Sequence, residues 1–452
     1  RIATTLSNGT QTTYSYDPAS QVTNILHQLT ATSAQINKAD YLYNGVGNRT
    51  SLTDRRGSQT FGYDNLDRLT SASHPLLGTP QNFAYDPVGN RTTGGTVVNA
   101  GNQLTADTNH TYQYDDNGNL TRKTLLATGN YTQYTYDVEN RLTQVQEFAA
   151  GNPTAVTTST YRYDGLGRRI EKVANGQTKR YIYDGEDILL EYDGNNLLQA
   201  RYTHGPGIDE PIAVTKGAST FFYHQDGLGS VTDLSDAAGA TAKSYSYDSY
   251  GNILESPGTL EQPYTFTGRE FDAESGLSYY RARYYDPASG RFLQQDPGSA
   301  GINSARLPRH PLDLVSQYAY AADNPIQLID SFGNEPQEPG GVGVEACKYY
   351  DDVARVNRCK YHPYAREYCE NPKQNPCIRS LASAGTISVI RQELIIEDQK
   401  ARIDRSTEAC DRPGCATAEA VTAYHKKVFA AHGIPEWCFP SWWLSARGTG
   451  DR

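Results

Sequence analysis

Through the first 250 residues, hydrophobic and polar positions alternate in short segments, each opening with two aromatic residues separated by one other residue. Side chains alternate across a β-strand, so both rings of such a pair lie on the same face. A sequence of the type Asp-x-x-Gly follows, which favours a turn, and a second short strand comes after it. The pattern therefore predicts a β-hairpin, which recurs with starts at Tyr14, Tyr41, Phe61, Phe83, Tyr112, Tyr134, Tyr161, Tyr181 and Tyr245.

The spacing of these hairpins indicates a repeat architecture. Successive starts up to Tyr181 are 20 to 29 residues apart, a period typical of stacked structural repeats. A single hairpin is only marginally stable in water, so each one has to bury its aromatic face against its neighbours. We therefore predict a mainly β fold, in which a coiling antiparallel β-sheet forms a shell.

Composition and charge support this prediction and exclude some functions. The chain has 34 Tyr, 40 Gly and no Met, which suits strands and tight turns better than aliphatic helices. Residues 335–452 contain 16 acidic and 16 basic residues, so the net charge of -10 falls on residues 1–334. Such an acidic body repels phosphate, and we expect it to bind no nucleic acid.

No apolar run approaches the roughly 18 residues of a membrane span. Because Arg1 already lies in repeat-like sequence, we expect further repeats upstream.

The last quarter of the chain has a different pattern. The linker-like sequence EPQEPGG begins at residue 335, and helical periodicity follows at 344–359, 386–409 and 417–432. We predict three parts: a β-shell segment over 1–263, a core or plug over 264–334, and a small α-rich domain over 335–452. All seven cysteines lie in this last part, at Cys347, Cys359, Cys369, Cys377, Cys410, Cys415 and Cys438.

The cysteines predict a domain stapled by disulfides. No Cys-x-x-Cys pair occurs, which disfavours a zinc site, and crowded cysteines in an exported protein are usually bridged. Two alternatives stay open. Cys359 and His362 share one short segment and could serve nucleophilic catalysis, and His425, His432 and Glu419 could share a helix face for metal or acid–base chemistry.

Two segments of the repeat region invite a metal or catalytic interpretation. The sequence DDNG at 115–118 resembles a fragment of a calcium loop, but it lacks the spaced ligands and closing Glu, which favours a turn. His224 lies close to Asp226, yet the chain has no Gly-x-Ser-x-Gly elbow, no His-Glu-x-x-His and no phosphate-binding glycine loop. This favours a variant repeat. We expect no metal and no cofactor.

Three longer segments carry a resemblance to a known family. They are YHQDGLGSV at 223–231, YTFTGREFDAESGLSYYRARYYDPASGRFLQQDP at 264–297 and YAYAADNPIQLIDSFGN at 318–334. Together with the Tyr-Asp units, they resemble the Rhs or YD-repeat family and its Rhs-associated core. The resemblance implies that the repeats wind into a shell, that the core closes one end, and that a variable C-terminal domain is held inside as cargo. In this family the cargo is commonly a toxin.

The resemblance also implies a reaction. In several family members the core is an aspartyl autoprotease that cuts the cargo free, using an Asp from each of two Asp-Pro-x-Gly motifs and a nearby Arg. In this chain, the resemblance assigns the two carboxylate roles to Asp296 and Asp330 and the arginine role to Arg291, with the cut near Asn334. The motifs of this chain depart from the family pattern, because they read Asp-Pro-Gly-Ser and Asp-Ser-Phe-Gly. Two close carboxylates do not both ionise, so one can act as base and the other as acid. The alternative is that both aspartates only cap turns.

These observations leave two functions from different classes. The first is a secreted or cell-surface, Rhs-type polymorphic toxin carrier. Its partners would be its own C-terminal domain as cargo, an immunity protein and the secretion machinery. The alternative is an extracellular structural or adhesive repeat protein with an inert C-terminal cap. The C-terminal domain could also be a hydrolase, and no motif identifies its substrate.

Overall fold

A computed structural model of the chain describes residues 1–297 and 316–334, whose regular secondary structure is almost entirely β-strands in antiparallel sheets. The predicted mainly β class is therefore confirmed for this part. The first sheet has eight strands in chain order, β1 to β8: Ala3–Thr5, Thr10–Tyr16, Val22–Leu29, Gln35–Tyr43, Arg49–Asp54, Gly57–Tyr63, Leu69–Ala72 and Gln81–Asn82.

The second sheet continues the same up-and-down order through fifteen strands. Each strand pairs with the one before it in the chain, as expected for consecutive hairpins. Strands β9 to β23 are Val97–Val98, Leu104–Ala106, His110–Tyr114, Leu120–Leu125, Tyr131–Tyr136, Leu142–Phe148, Thr157–Tyr163, Arg169–Ala174, Gln177–Asp184, Asp187–Asp193, Leu198–His204, Pro211–Lys216, Ser219–Gln225, Val231–Ser235 and Thr241–Ser244.

In most of these hairpins the turn is closed by the Asp that follows the aromatic pair, and Asn44 takes its place in the repeat that starts at Tyr41. Asp64 Oδ1, for example, accepts hydrogen bonds from the backbone N–H groups of Leu66 at 2.9 Å and Arg68 at 3.0 Å. This local bonding stabilises a tight turn and confirms the turn interpretation, including that of the DDNG and DGLG segments. The same paired bonds occur at Asp17, Asp86, Asp115, Asp137, Asp164, Asp226 and Asp248.

The two aromatic residues of a repeat have different roles on the same face. The first is buried in most repeats, as Tyr134 and Tyr161 are, and it builds the core. The second donates its hydroxyl hydrogen to a backbone carbonyl of the preceding repeat: Tyr136 Oη lies 2.8 Å from the oxygen of Leu120. A tyrosine hydroxyl that is removed from water needs such a partner, and this partner ties neighbouring repeats together.

The predicted core block forms a small four-stranded sheet packed on the aromatic face of the repeats. Its strands β26 to β29 are Glu270–Asp272, Leu277–Tyr280, Arg283–Asp286 and Arg291–Phe292, and a short pair, β24 (Ser246–Tyr247) and β25 (Ile253–Glu255), precedes them. One single-turn 3₁₀ helix, Phe266–Gly268, lies before β26, and another, Ala321–Asp323, follows β29 in the segment 316–334.

The core sheet presents different side chains on its two faces. Leu277, Tyr279 and Tyr284 pack against Tyr112, Tyr134 and other aromatic residues of the second sheet. The opposite face packs with the later core segment, in a cluster of Phe266, Tyr280, Tyr285, Phe292, Tyr320 and Ala321. This second cluster holds the two parts of the core block, 264–297 and 316–334, in one body.

The strip of repeats curls back on itself, so that the first sheet meets the last strands of the second. Asn37 Nδ2 on β4 donates to Asp233 Oδ2 on β22 at 2.8 Å, and His27 Nε2 on β3 lies 3.0 Å from the carbonyl oxygen of Gln225. We call this contact the seam. The predicted helices and disulfides of 335–452 lie outside the described residues and stay predictions.

Candidate functional site

The two aspartates that the family resemblance singled out meet at one arginine. Asp296 comes four residues after the end of β29, and Asp330 lies near the end of the described segment 316–334. Arg283 Nη2 lies 3.3 Å from Asp296 Oδ2 and 3.2 Å from Asp330 Oδ2. The two carboxylate oxygens are therefore no further apart than the sum of these distances.

Arg283 is held in place by the core sheet. It is the first residue of β28, and its side chain points to the face that also carries Tyr285 and Phe292. The guanidinium carbon lies 3.7 Å from the centre of the Phe292 ring, and Nη1 donates to the carbonyl oxygen of Gln317 at 2.9 Å. A planar guanidinium with five donors can serve several acceptors at fixed angles, which a lysine cannot do.

The same arginine and aspartate hold one peptide bond, Gly333–Asn334. Arg283 Nε donates a hydrogen bond to the carbonyl oxygen of Gly333. The backbone N–H of Asn334 donates to Asp330 Oδ1 at 2.9 Å. The carbonyl of this peptide therefore faces a cation, and its nitrogen faces a carboxylate.

Gly333 has the backbone conformation and the close packing that only glycine allows. Its φ is +72°, in the left-handed region, and a Cβ atom there would lie 2.3 Å from the carbonyl oxygen of Tyr280. The N–H of Ala282 also donates to the carbonyl oxygen of Phe332 at 3.2 Å. The segment that ends at Asn334 is thus seated closely against the turn between β27 and β28.

The site has one buried and one accessible carboxylate. The Asp330 side chain is 1% exposed and that of Arg283 2%, whereas that of Asp296 is 22% exposed. Burial lowers the pKa of the Arg283 guanidinium, and the Asp296 and Asp330 carboxylates oppose that effect. Solvent therefore reaches Asp296 more readily than Asp330, so a water molecule can contact the Asp296 carboxylate more easily than the Asp330 carboxylate.

Arg291, the arginine expected from the motif, binds a different set of groups. Its Nη2 donates to the carbonyl oxygen of Asn102 at 2.6 Å and to Ser316 Oγ at 3.2 Å, and its guanidinium lies over the Tyr318 ring. The arginine that the structure brings to both Asp296 and Asp330 is Arg283. A catalytic role for Arg291 stays a prediction.

His224 and Asp226 do not form a catalytic pair in this structure. Asp226 closes a repeat turn, and His224 Nε2 lies 2.8 Å from Ser235 Oγ. Among residues 1–297 and 316–334, no group of three or more His, Cys, Asp or Glu side chains is arranged to hold a metal ion. The seven cysteines, His362, Glu419, His425 and His432 lie outside that part.

No helix within the described ranges is long and apolar enough to span a membrane.

Comparison with known proteins decides the family. A family model described as RHS Repeat matches residues 43–79, and one described as Teneurin YD-shell matches residues 77–326, more than half of the chain. The chain belongs to the YD-shell family. Except for Asp17, the turn-closing aspartates of this YD-shell protein lie within the matched residues, and the resemblance to Rhs proteins is confirmed.

Several curated relatives of this YD-shell protein are toxins or nucleases. It is 36% identical over 292 residues to the tRNA3(Ser)-specific nuclease WapA of Bacillus spizizenii, a match that covers 60% of this chain and 12% of WapA. It is 30% identical over 335 residues to the double-stranded DNA deaminase toxin A of Burkholderia cenocepacia, covering 65% of this chain and 22% of that toxin. The matched part of the YD-shell protein thus spans less than a quarter of the length of these relatives.

Solved structures support the fold. The YD-shell protein matches the crystal structure of TcdB2-TccC3 with a TM-score of 0.51 and 19% identity, over 74% of this chain and 19% of the other. A structure of the Photorhabdus luminescens Tc holotoxin pore matches with a TM-score of 0.51 and 20% identity, over 74% and 18%. At these identities the match shows a shared shell-like β fold and nothing about activity.

Proposed function

We propose that this protein is an Rhs-type toxin carrier that cuts its own chain between Gly333 and Asn334 and so releases residues 334–452, which contain the effector segment 335–452. The proposal is supported by the two hydrogen bonds that Arg283 and Asp330 form with the Gly333–Asn334 peptide. Asp296 contacts the same Arg283 guanidinium. The names of the relatives, which include nucleases and a deaminase toxin, support the effector part.

We assign different roles to the two carboxylates. Asp296 is the more exposed, so it takes the proton from an attacking water molecule. Asp330 faces the nitrogen of Asn334, so in its protonated form it gives a proton to that nitrogen as the bond breaks. Both Asp330 oxygens accept hydrogen bonds in this structure, so the reaction requires Asp330 to take up a proton first, and the Asp296 carboxylate on the same guanidinium favours this because like charges at close range oppose double ionisation.

Arg283 supplies the electrostatic part of the reaction. Attack on the Gly333 carbonyl carbon places negative charge on the carbonyl oxygen, and Arg283 Nε already donates to that oxygen. The hydroxyl of the water joins the Gly333 carbon, the bond to Asn334 breaks, and the products are a Gly333 carboxyl group and a free amino group on Asn334. No cofactor or metal takes part in this scheme.

The first test follows the chain itself. The intact protein is expressed and its fragments are weighed by mass spectrometry. A C-terminal fragment that begins at Asn334, absent from Asp296→Asn and Asp330→Asn chains, is the expected result. A fragment that begins at residue 335 would keep the protease and move the cut by one bond. A chain that stays intact would contradict self-cleavage.

The second test concerns the effector. We propose that residues 335–452 form an α-rich domain, stapled by disulfides, that acts on a bacterial target. Expression of this segment in bacteria should arrest growth, whereas residues 1–334 should not. Harmless accumulation would instead favour the inert cap of a structural or adhesive protein. Secretion, an immunity protein and the division into 1–263, 264–334 and 335–452 belong to the same proposal.

A further inference from the structure

One position in the repeats is aliphatic in some copies and arginine in others. The fifth residue after the turn-closing side chain is a buried leucine in three repeats, at Leu69, Leu120 and Leu142. In three other repeats the same position is an arginine: Arg49, Arg91 and Arg169. A buried arginine in place of leucine is costly unless its donors find acceptors, so the partners of such an arginine indicate what it holds.

Arg49 finds its acceptors outside its own sheet. It is 4% exposed and lies at the start of β5 in the first sheet. Nη1 donates to the carbonyl oxygen of Ile326 at 3.0 Å, and Nη2 donates to that of Gly227 at 2.9 Å. The guanidinium rests over the Tyr41 ring, 4.5 Å from its centre, and Tyr41 Oη accepts the N–H of Gly227 at 2.8 Å.

Ile326 belongs to the segment that carries Asp330, and further contacts attach this segment to the first sheet. Asn324 Nδ2 donates to Asn48 Oδ1 at 3.0 Å. The N–H of Leu328 donates to the carbonyl oxygen of Asn324 at 2.9 Å, so the segment turns tightly just before Asp330. The Ile326 side chain packs in a cluster with three residues of the first sheet and one that follows β24, namely Phe61, Leu69, Ala72 and Tyr250.

We propose that Arg49 is a positioning residue for the self-cleavage described above: it makes the placement of Asp330 depend on closure of the repeat strip at the seam. This inference rests on the proposed function. Arg49 binds the segment that carries Asp330 at Ile326, and it binds the last strands of the second sheet at Gly227, which lies between β21 and β22. Both hydrogen bonds therefore form together only when the first sheet has met the second sheet at the seam. Cleavage then follows closure of the shell.

The placement of the segment is measured without cleavage. In an Asp296→Asn background, amide hydrogen exchange is compared between the chain that keeps Arg49 and the Arg49→Leu chain. Leucine is the native residue at this position in other repeats, so the fold is retained. The amide of Leu328 should exchange at least about tenfold faster in Arg49→Leu, while amides of β27 and β28 keep their rates. Unchanged exchange at Leu328, or equal acceleration in β27 and β28, would overturn the proposal.

The reaction is measured in the chain with both aspartates. Arg49→Leu should slow the first-order appearance of the fragment at least about tenfold per folded molecule, and Arg49→Lys should restore part of the rate because an ammonium can serve one carbonyl. Arg141→Leu, which removes a more exposed arginine paired with Asp137, is the matched control and should leave the rate unchanged. If the parent chain never cleaves, the proposed function fails, and the exchange experiment still decides whether Arg49 holds the segment that carries Asp330 in place.

Discussion

Arg283 and Asp330 stand 47 residues apart in the chain, and they form an ion pair of 3.2 Å whose two side chains are almost completely buried. Breaking a buried pair by removing one partner typically costs about 3–5 kcal/mol, so this pair alone would suit a structural role. The same two side chains also contact the neighbouring peptide: Arg283 donates to the Gly333 carbonyl oxygen, and Asp330 accepts from the Asn334 N–H, and the proposed cleavage uses these two contacts.

The first prediction separates Arg283 from Arg291. Arg283→Lys keeps the charge but loses the planar set of donors that serves Asp296, Asp330 and the Gly333 oxygen together. We expect self-cleavage to slow by about 100-fold or more, the usual effect of losing an oxyanion donor. The fragment is followed on gels from the start of refolding.

Arg291→Lys is the comparison for that experiment. Arg291 binds Asn102 and Ser316, so its replacement should leave the rate of cleavage close to that of the parent chain. If Arg291→Lys stops cleavage and Arg283→Lys does not, the assignment taken from the motif is right and the one taken from the geometry is wrong.

The second prediction concerns Gly333. Alanine there places a Cβ atom 2.3 Å from the Tyr280 oxygen and adds the left-handed strain of about 1–2 kcal/mol. Because the segment has to move to relieve the clash, Gly333→Ala should abolish cleavage while the repeats stay folded by circular dichroism.

Gly176 provides a matched control for Gly333. Its φ is +76°, and a Cβ atom added there would meet nothing within 4 Å. Gly176→Ala therefore carries the same backbone strain without the clash. Normal cleavage in Gly176→Ala together with none in Gly333→Ala supports the seating of the segment, and equal cleavage in both variants contradicts it.

The third prediction is a pH dependence at the seam. His27 and His224 are buried with ring centres 5.0 Å apart, and burial lowers the pKa of His27 to about 4 and that of His224 to about 3. Both values lie below the pKa of about 6.5 in an unfolded chain, so the unfolded state binds more protons as the pH falls. This contribution to stability is complete above about pH 6.5 and is lost progressively as the pH drops towards 4.

His27→Gln tests that contribution. Asp323, whose pKa burial raises to about 7, acts in the opposite direction over the same range, so the difference between variant and parent is the useful quantity. Urea unfolding at about pH 7 and about pH 5 should show that the parent loses about 2 kcal/mol more than His27→Gln on acidification. An equal loss in both chains would mean that His27 is not titrating as its burial implies.

Much of the fold followed from residue chemistry alone. The aromatic pairs determined the buried face because strands alternate, and the aspartates determined the turns because their side chains bond forward to the backbone. Hairpins joined in chain order need no long-range information, so the antiparallel strip was predictable. The return of the strip to the seam, where Asn37 meets Asp233, was not, because no local pattern records a contact between residues 196 positions apart.

The site was predicted in part. The motifs indicated Asp296 and Asp330, and the structure brings them together at one guanidinium. Arg283, which contacts both aspartates, was not among the residues predicted for the site, although it stands in the run Tyr-Tyr-Arg-Ala-Arg-Tyr-Tyr-Asp. Arg283 pairs with Tyr280 across the tight turn between β27 and β28, and this pairing places Arg283 beside Gly333. The pairing can be seen only in the folded sheet. Proline is absent after Asp330, yet the turn still closes through the Gly333 N–H and the Asp330 carbonyl at 3.3 Å.

The most direct test of self-cleavage is the mass of the C-terminal fragment from the intact chain, measured beside Asp296→Asn and Asp330→Asn chains that are shown to be folded. We expect a fragment that begins at Asn334 in the parent and no fragment in either variant. A parent chain that remains whole, or variants that are cut as the parent is, would contradict the proposed reaction.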